Sequence, residues 1–244
     1  MPTAILLRHG LTAMTGPVLA GRSRGLHLDE RGQRQADEVA QRLATVPLAA
    51  VVTSPLERCA ETARAVAKAQ KTAGRAPAAR TDRQLLECDY GDWTGQEIKT
   101  LLKDPLWPVV QAHPSGVTFP GGESMAAMSE RAVRAIRHWN ARVADQHGPD
   151  AIWLACSHGD VIKSVLADAL GMHLDLFQRI VVDPCSVSVI RYTPGRPFVV
   201  TLNNTSGDLA SLIPPPEAKG GGRARRGESS SDATIGGGAG QGSV

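Results

Sequence analysis

The sequence predicts an α/β fold of the doubly wound type, with a mostly parallel sheet, helices on both faces and an antiparallel edge strand. Short apolar runs bounded by polar residues or glycine alternate with longer amphipathic segments, which is typical of buried parallel strands joined by helices. Near the end of this pattern, two apolar runs flank a turn that contains Pro194 and Gly195, which indicates a hairpin.

Three short apolar runs are predicted to be the buried parallel strands. They cover residues 4–7, 49–53 and 151–156. The hairpin pairs residues 187–192 with residues 198–202, and we expect this pair to form the antiparallel edge.

Helical periodicity of apolar residues is clearest in four segments, covering residues 30–43, 56–68, 123–143 and 160–170. Residues 104–122 contain five residues that break or end helices, which are Pro105, Pro108, Pro114, Gly116 and Pro120. We expect an irregular segment there that could serve as a lid or substrate loop.

The chain of 244 residues, 42% of them hydrophobic, is long enough for one domain, predicted over residues 1–213. Residues 214–244 are rich in Gly, Pro, Ser and Arg, which predicts a disordered tail that cannot bury a core. The charges of this tail are nearly balanced, so a solvated tail is favoured over an arm that binds nucleic acid. With 27 basic and 24 acidic residues, the chain as a whole requires neither nucleic acid nor a membrane as partner.

The cysteines and the N-terminus favour a cytoplasmic protein. The four cysteines are widely separated, with no C-x-x-C pair, which argues against a compact metal or redox motif and indicates a reduced chain. Residues 4–7 are apolar but have no basic leader or small-residue cleavage site, so no signal peptide is expected. The apolar runs are shorter than the roughly 20 residues that span a bilayer.

Two histidines occupy matching positions, each after an apolar strand and before a glycine. His9 follows residues 4–7, and His158 follows residues 151–156. Ligands of open α/β sheets bind beyond the carboxyl ends of the strands, and neighbouring parallel strands would bring these two imidazoles together. One such histidine alone would more simply be a satisfied strand-end residue, but the repetition favours a shared site.

Arginines lie in the same kind of place. Arg8 precedes the first histidine, and Arg58 lies one turn into the helix that follows the second strand. A guanidinium group matches phosphoryl oxygens in shape and charge, although Arg58 by itself could be a surface residue paired with Glu57 or Glu61. The helix near Gly159 would add backbone N–H groups. Together these groups predict a pocket for a phosphoryl anion.

Six motifs in order resemble the histidine phosphatase superfamily, the phosphoglycerate mutase-like proteins, over residues 3–205. They are R-H-G-L-T at 8–12, G-R at 21–22 with L-D-E-R-G-Q-R-Q-A at 28–36, S-P-L-E-R-C-A-E-T-A at 54–63, L-L-E-C-D-Y-G-D-W-T-G at 85–95, P-G-G-E-S at 120–124 and S-H-G-D-V-I at 157–162. A lone R-H-G would be a weak signal, whereas six motifs in the family order are specific.

The resemblance implies that His9 attacks phosphorus and becomes a phosphohistidine, while Arg8, Arg58 and His158 hold the phosphoryl oxygens. Glu87 would give a proton to the leaving oxygen, so we expect its carboxyl to be partly buried or near the phosphate, with a raised pKa. No metal or other cofactor is implied. Further residues that would contact the substrate are Gly10, Thr12, Thr15, Gly21, Arg22 and Gly159.

Two positions depart from the family pattern. Thr15 stands where many relatives carry asparagine, so a phosphate contact there would come from a hydroxyl or be lost. Asp160 stands where mutases usually show a second glycine, and we interpret it first as a helix-start residue and second as a substrate contact. Trp93 and Trp107 could line an apolar cleft or pack in the core.

The sequence favours a phosphatase of the resembled family, acting on a small phosphorylated metabolite, over a mutase. Residues 96–119 form a short segment whose cations are Lys99 and Lys103, which leaves few charges for a second anionic group. A phosphoglycerate mutase-type phosphotransferase is the alternative, and a non-catalytic module that binds phosphorylated ligands is a weaker one, because His9 is present. The sequence leaves a homodimer open.

Overall fold

The computed structural model describes residues 2–209 and 212–213, and the predicted tail at 214–244 lies outside them. Within the described residues, six strands form one sheet in the order β3-β2-β4-β1-β5-β6. Neighbours from β3 through β1 are parallel, and β5 is antiparallel to both β1 and β6. The strands are β1 (Thr3–Arg8), β2 (Leu48–Thr53), β3 (Ala78–Thr81), β4 (Ile152–Ser157), β5 (Val187–Tyr192) and β6 (Pro197–Asn204).

Side chains of the central strands point alternately to two apolar cores, one on each face of the sheet. In β1, Ala4 and Leu6 belong to one core, and Ile5 and Leu7 belong to the other. All four are almost completely buried. A strand buried on both faces must be apolar at every position, which is why these runs do not alternate with polar residues. The doubly wound fold predicted from them is confirmed.

Four long helices cover the two faces of the sheet, α1 and α2 on one face and α5 and α6 on the other. Their starts follow from local capping: Asp29 accepts a hydrogen bond from the Gly32 amide, and Ser124 accepts one from the Ala127 amide. The predicted helices are confirmed, with ends shifted by a few residues. The bounds are α1 (Glu30–Leu43), α2 (Glu57–Thr72), α5 (Met125–His147) and α6 (Gly159–Ala169).

The antiparallel edge is confirmed, and one parallel edge strand was not predicted. β5 and β6 form the expected hairpin. At the opposite edge, β3 has the sequence Ala-Ala-Arg-Thr, and three of its four residues are exposed. Such a short and exposed strand has no apolar run to mark it, so the periodicity of the sequence could not reveal it.

The segment between β3 and α5 contains two short helices, α3 (Ile98–Leu101) with four residues and α4 (Trp107–Ala112) with six. The irregular stretch expected at 104–122 therefore includes a helix. Pro108 lies in the first turn of α4, where a missing N–H costs no helical hydrogen bond. Among the helices of the described residues, none is long and apolar enough to cross a membrane.

Candidate active site

Two histidines meet at the carboxyl ends of adjacent parallel strands. β1 and β4 pair in register, with Arg8 opposite Ser157, so the residues that follow them, His9 and His158, leave the sheet side by side. Their ring centroids are 5.2 Å apart, with the rings inclined at 65°. The sheet order thus brings together two residues separated by more than half the chain.

The His9 imidazole is oriented so that one ring nitrogen keeps its lone pair. Its Nδ1 lies 2.7 Å from the Gly10 carbonyl oxygen, which can only accept, so Nδ1 carries the proton. Its Nε2 lies 3.2 Å from the Nε donor of Arg58. Burial, and then the charge of Arg58, hold the pKa of His9 well below its usual value. The ring is therefore neutral near pH 7, and its unprotonated Nε2 accepts the hydrogen bond from Arg58.

Arg58 lies between the two histidines and is 1% exposed, unlike the surface residue that its helix position alone would suggest. One of its terminal nitrogens donates to the Gly21 carbonyl at 2.7 Å and lies 3.2 Å from Nδ1 of His158. The loop that contains Gly21 folds over the start of α2 and buries the guanidinium group. A buried, fixed guanidinium suits a site that holds an anion.

His158 is fixed by Ser54, a residue of the same sheet end that follows β2. The distance from Nε2 of His158 to the Ser54 hydroxyl oxygen is 2.8 Å, and both side chains are completely buried. Burial and the Arg58 charge lower the pKa of His158 well below its usual value. We did not predict a role for Ser54, although its place directly after an apolar strand was the available signal.

Arg8 presents a buried donor toward the pocket. Its Nη1 donates to the Val182 carbonyl at 2.7 Å, but its Nε is buried without a hydrogen-bond acceptor among the described residues. Gly159, the first residue of α6, lies against this guanidinium and lines the same pocket. A buried unpaired donor is costly, and an anionic oxygen would satisfy it.

Glu87 lies in the same pocket and is 9% exposed. Its Oε1 accepts a hydrogen bond from the Cys88 amide at 3.0 Å. Burial, and then the nearby carboxylate of Asp160, raise the pKa of Glu87 to about 7. The direction agrees with the expectation from the sequence. A carboxyl group with this pKa can keep its proton near neutral pH and donate it.

Asp160 makes the pH dependence of this carboxyl testable. Its Oδ2 accepts a 2.7 Å hydrogen bond from the Tyr90 hydroxyl, and its charge disfavours ionisation of Glu87. We expect Asp160→Asn to lower the pKa of Glu87. As the pH is raised, the variant should then lose activity at a lower pH than the wild type does. The alkaline limb of kcat/KM, near pH 7 in the wild type, should move by about half a unit or more.

The wild type and Asp160→Asn are compared with the same substrate. The titration of the phosphate ester is then common to both, so a difference between their pH profiles reports the change in the pKa of Glu87. Asp150→Asn is a matched control, since Asp150 is exposed and precedes β4, at the opposite end of the strand from His158. An alkaline limb that stays in place in Asp160→Asn would contradict the electrostatic role.

Arg22 supports the Glu87 loop and does not line the pocket. It donates from Nε to the Glu87 backbone carbonyl at 2.9 Å and forms ion pairs with Asp89 and Glu123. Arg131 of α5 donates to the same Glu87 carbonyl at 3.0 Å and also pairs with Glu123. The sequence did not point to Arg131, because the Glu87 carbonyl to which it donates belongs to a segment distant in the chain.

The other predicted binding residues fall into two groups. Thr12, Thr15, Gly21 and Gly159 line the pocket, and the hydroxyl oxygens of Thr12 and Thr15 are 3.0 Å apart. Gly10 instead packs against the start of α1, where a Cβ on it would come within 2.6 Å of the Gly32 carbonyl oxygen. Glycine at position 10 is therefore explained by close backbone packing.

The pocket extends beyond these groups as a cavity of about 480 Å³. One wall is aromatic: Trp93 and Trp107 stack with centroids 6.0 Å apart, and both line the cavity. Trp93 is also buried in the core, so both interpretations of the tryptophans hold for it. Trp107 comes from the segment expected to act as a substrate loop, and Val110, Gln111 and Phe119 of that segment are further lining residues.

A doubly wound sheet with paired histidines and arginines at its carboxyl edge defines a class of phosphoryl-handling α/β enzymes. Within that class, residues 4–205 match the model of the histidine phosphatase superfamily, branch 1, and the chain belongs to this family.

The chain is similar to proteins named as phosphatases and to proteins named as mutases. The chain is 31% identical to phosphoserine phosphatase 1 of Hydrogenobacter thermophilus, over 84% of this chain and 93% of that protein. It is 28% identical to the Proteus mirabilis protein named "probable phosphoglycerate mutase GpmB", over 85% and 93%. Among solved structures, YhfR of Bacillus stearothermophilus superposes with a TM-score of 0.73 at 28% identity, over 84% and 98% of the two chains.

Proposed function

We propose that this protein is a metal-independent phosphomonoester hydrolase that acts on a small phosphorylated metabolite through a phosphohistidine at His9. The observation that carries the proposal is the neutral, oriented imidazole of His9, which keeps Nε2 unprotonated and lines a pocket together with Arg8, Arg58 and a protonatable Glu87. Residues 1–213 would form the catalytic domain. A cytoplasmic location fits the four cysteines, all of which are free thiols.

In the first step, Nε2 of His9 attacks phosphorus and the bond from phosphorus to the ester oxygen breaks. Glu87 gives its proton to the departing oxygen, so the product leaves as an alcohol. Arg8 and Arg58 hold the phosphoryl oxygens, and the backbone N–H groups at the start of α6 add to this. A bound dianion would raise the pKa of His158, so that this ring can also donate.

In the second step, a water molecule attacks the phosphohistidine. Glu87, now a carboxylate, takes a proton from the water. At the same time the water oxygen bonds to phosphorus, and the bond between phosphorus and Nε2 of His9 breaks. Inorganic phosphate is released, Glu87 is protonated again, and His9 returns to its neutral form. The same two residues therefore serve both steps.

The alternative is transfer of the phosphoryl group to a second phosphorylated acid, as in a mutase. Lys99 and Lys103, the cations of the segment 96–119, do not line the cavity, and the side chain of Lys99 is 79% exposed. This placement favours water as the acceptor.

Two assays with the full chain separate these functions. We expect release of phosphate from p-nitrophenyl phosphate and from small alkyl phosphates, undiminished by a metal chelator. With 3-phosphoglycerate, phosphate release should exceed formation of 2-phosphoglycerate by about tenfold or more. Isomerisation faster than hydrolysis would overturn the hydrolase proposal, and loss of activity with chelator would overturn its metal independence.

A further inference from the structure

We propose that Arg131 is a positioning residue for the proton donor: it fixes the peptide unit between Glu87 and Cys88, and this unit in turn holds the Glu87 carboxyl in place. The inference rests on the proposed function, in which Glu87 gives its proton to the departing oxygen. Arg131 belongs to α5, and its side chain is 11% exposed. It does not line the cavity, so any effect it has on the reaction passes through Glu87.

The first observation is that the guanidinium group of Arg131 has an acceptor for each of its five N–H donors. Its Nη1 donates to the carbonyls of Gln84 and Leu86 at 2.6 and 2.7 Å, and its Nη2 donates to the Glu87 carbonyl at 3.0 Å. The Glu123 carboxylate accepts from Nη2 at 2.6 Å and from Nε at 3.1 Å. The planar group therefore holds the backbone of the Glu87 loop in one orientation.

The second observation is that the Glu87 carbonyl oxygen is held from two sides. Arg22 donates to it from Nε at 2.9 Å, and Arg131 donates to it from Nη2 at 3.0 Å. A carbonyl oxygen has two lone pairs, so these two guanidinium groups occupy both of them. Rotation of this peptide unit would break both hydrogen bonds at once.

The third observation connects the same peptide unit to the carboxyl. In a trans peptide the C=O and N–H groups point in opposite directions, and none of the described residues has a cis peptide bond. The N–H group of this unit belongs to Cys88, and it donates to Oε1 of Glu87 at 3.0 Å. Because the unit is planar, holding its carbonyl oxygen also aims its N–H group at the carboxyl.

This hydrogen bond is the one that the Glu87 carboxyl makes within the part of the chain that the structure describes. A proton donor must lie within hydrogen-bond reach of the departing oxygen, and a small displacement of a reacting group is costly. Loss of the Arg131 fork would free the peptide unit to turn, and the carboxyl would lose the contact that orients it.

The test compares two esters in the wild type, in Arg131→Gln and in Arg131→Lys. Ethyl phosphate needs a proton on its departing oxygen, whereas p-nitrophenolate leaves without one. In Arg131→Gln we expect the ratio of kcat/KM for ethyl phosphate to that for p-nitrophenyl phosphate to fall by about tenfold or more. Arg131→Lys keeps the charge without the fork and should show a smaller fall, which carries the test if Arg131→Gln does not fold. The concentration of folded enzyme cancels in this ratio, so a general loss of stability does not change it.

The pH profile with ethyl phosphate gives a second readout. The hydrogen bond from Cys88 favours the ionised carboxyl, so its loss should raise the pKa of Glu87 above its value of about 7. The variants should then keep their activity to higher pH than the wild type does, and the alkaline limb moves upward. The other charges that act on this carboxyl, those of Asp160, Arg58 and Arg8, stay in place.

Arg134→Gln is the matched control, because Arg134 lies three residues further along α5 and its side chain is 64% exposed. It should leave the ratio and the alkaline limb as in the wild type. Equal losses with both esters in the folded Arg131 variants, or an alkaline limb that does not move, would overturn the positioning role. Absence of hydrolysis of both esters by the wild type would instead contradict the proposed function itself, so the two failures are distinguishable.

Discussion

Replacement of His9 by alanine is expected to reduce phosphatase kcat/KM by roughly 10⁴-fold or more, the scale of loss when an enzyme loses its nucleophile. The reason is that Nε2 of His9 is the ring nitrogen left without a proton, on a residue that lines the pocket. The measurement is release of phosphate from p-nitrophenyl phosphate. Wild-type enzyme quenched during turnover should also carry an acid-labile phosphoryl group, detectable as a mass increase, that the variant lacks.

His147→Ala controls for the loss of a histidine. His147 is the last residue of α5 and is exposed, so this variant should keep wild-type activity and a phosphorylated intermediate. Thermal unfolding of both variants shows whether the fold is retained. Substantial turnover by folded His9→Ala, or a phosphoryl group found on another residue, would contradict the role of His9.

Replacement of Glu87 by glutamine is expected to have the second largest effect, and its size should depend on the leaving group. An alkyl phosphate needs a proton on its departing oxygen, so its hydrolysis should fall by about 10²- to 10⁴-fold. p-Nitrophenolate leaves without a proton, so phosphorylation of His9 should be slowed less. Water attack still lacks its base, and a burst of p-nitrophenol followed by slow turnover should appear in stopped-flow traces.

The glutamine variant is a mild change to the fold, because it resembles the neutral form that Glu87 adopts below pH 7. Glu130→Gln is a matched control, since the side chain of Glu130 is 73% exposed on α5. It should show neither the burst nor the dependence on leaving group. Equal losses for alkyl and p-nitrophenyl esters in Glu87→Gln would contradict proton donation by Glu87.

The sequence was most informative where one short segment determines both structure and chemistry. A run of apolar residues followed by a histidine and a glycine was enough to place His9 and His158 at strand ends, because a strand buried on both faces has to be apolar throughout. The amphipathic segments likewise predicted the four long helices. Motif resemblance then singled out Arg58 and Glu87, which periodicity alone would have left as surface residues.

Lys163 shows what a count of charges within one segment of the chain leaves out. The mutase alternative was weighed from the cations of residues 96–119, yet Lys99 and Lys103 of that segment do not line the cavity. Apart from Arg8 and Arg58, the lysine or arginine that lines it among the described residues is Lys163 of α6, about 60 residues further along. Ser54 and Arg131 were missed for the same reason, since each acts on a residue from a distant segment.

The sequence by itself determined five of the six strands, the long helices, the family and the residues that its motifs mark. Only the tertiary structure decided which side chains share the cavity, that Arg22 braces the Glu87 loop and that Asp160 raises the pKa of Glu87. The physical reason is that burial and Coulomb interactions depend on distances in space. Those distances follow from the strand order β3-β2-β4-β1-β5-β6, which the local pattern of apolar residues does not contain.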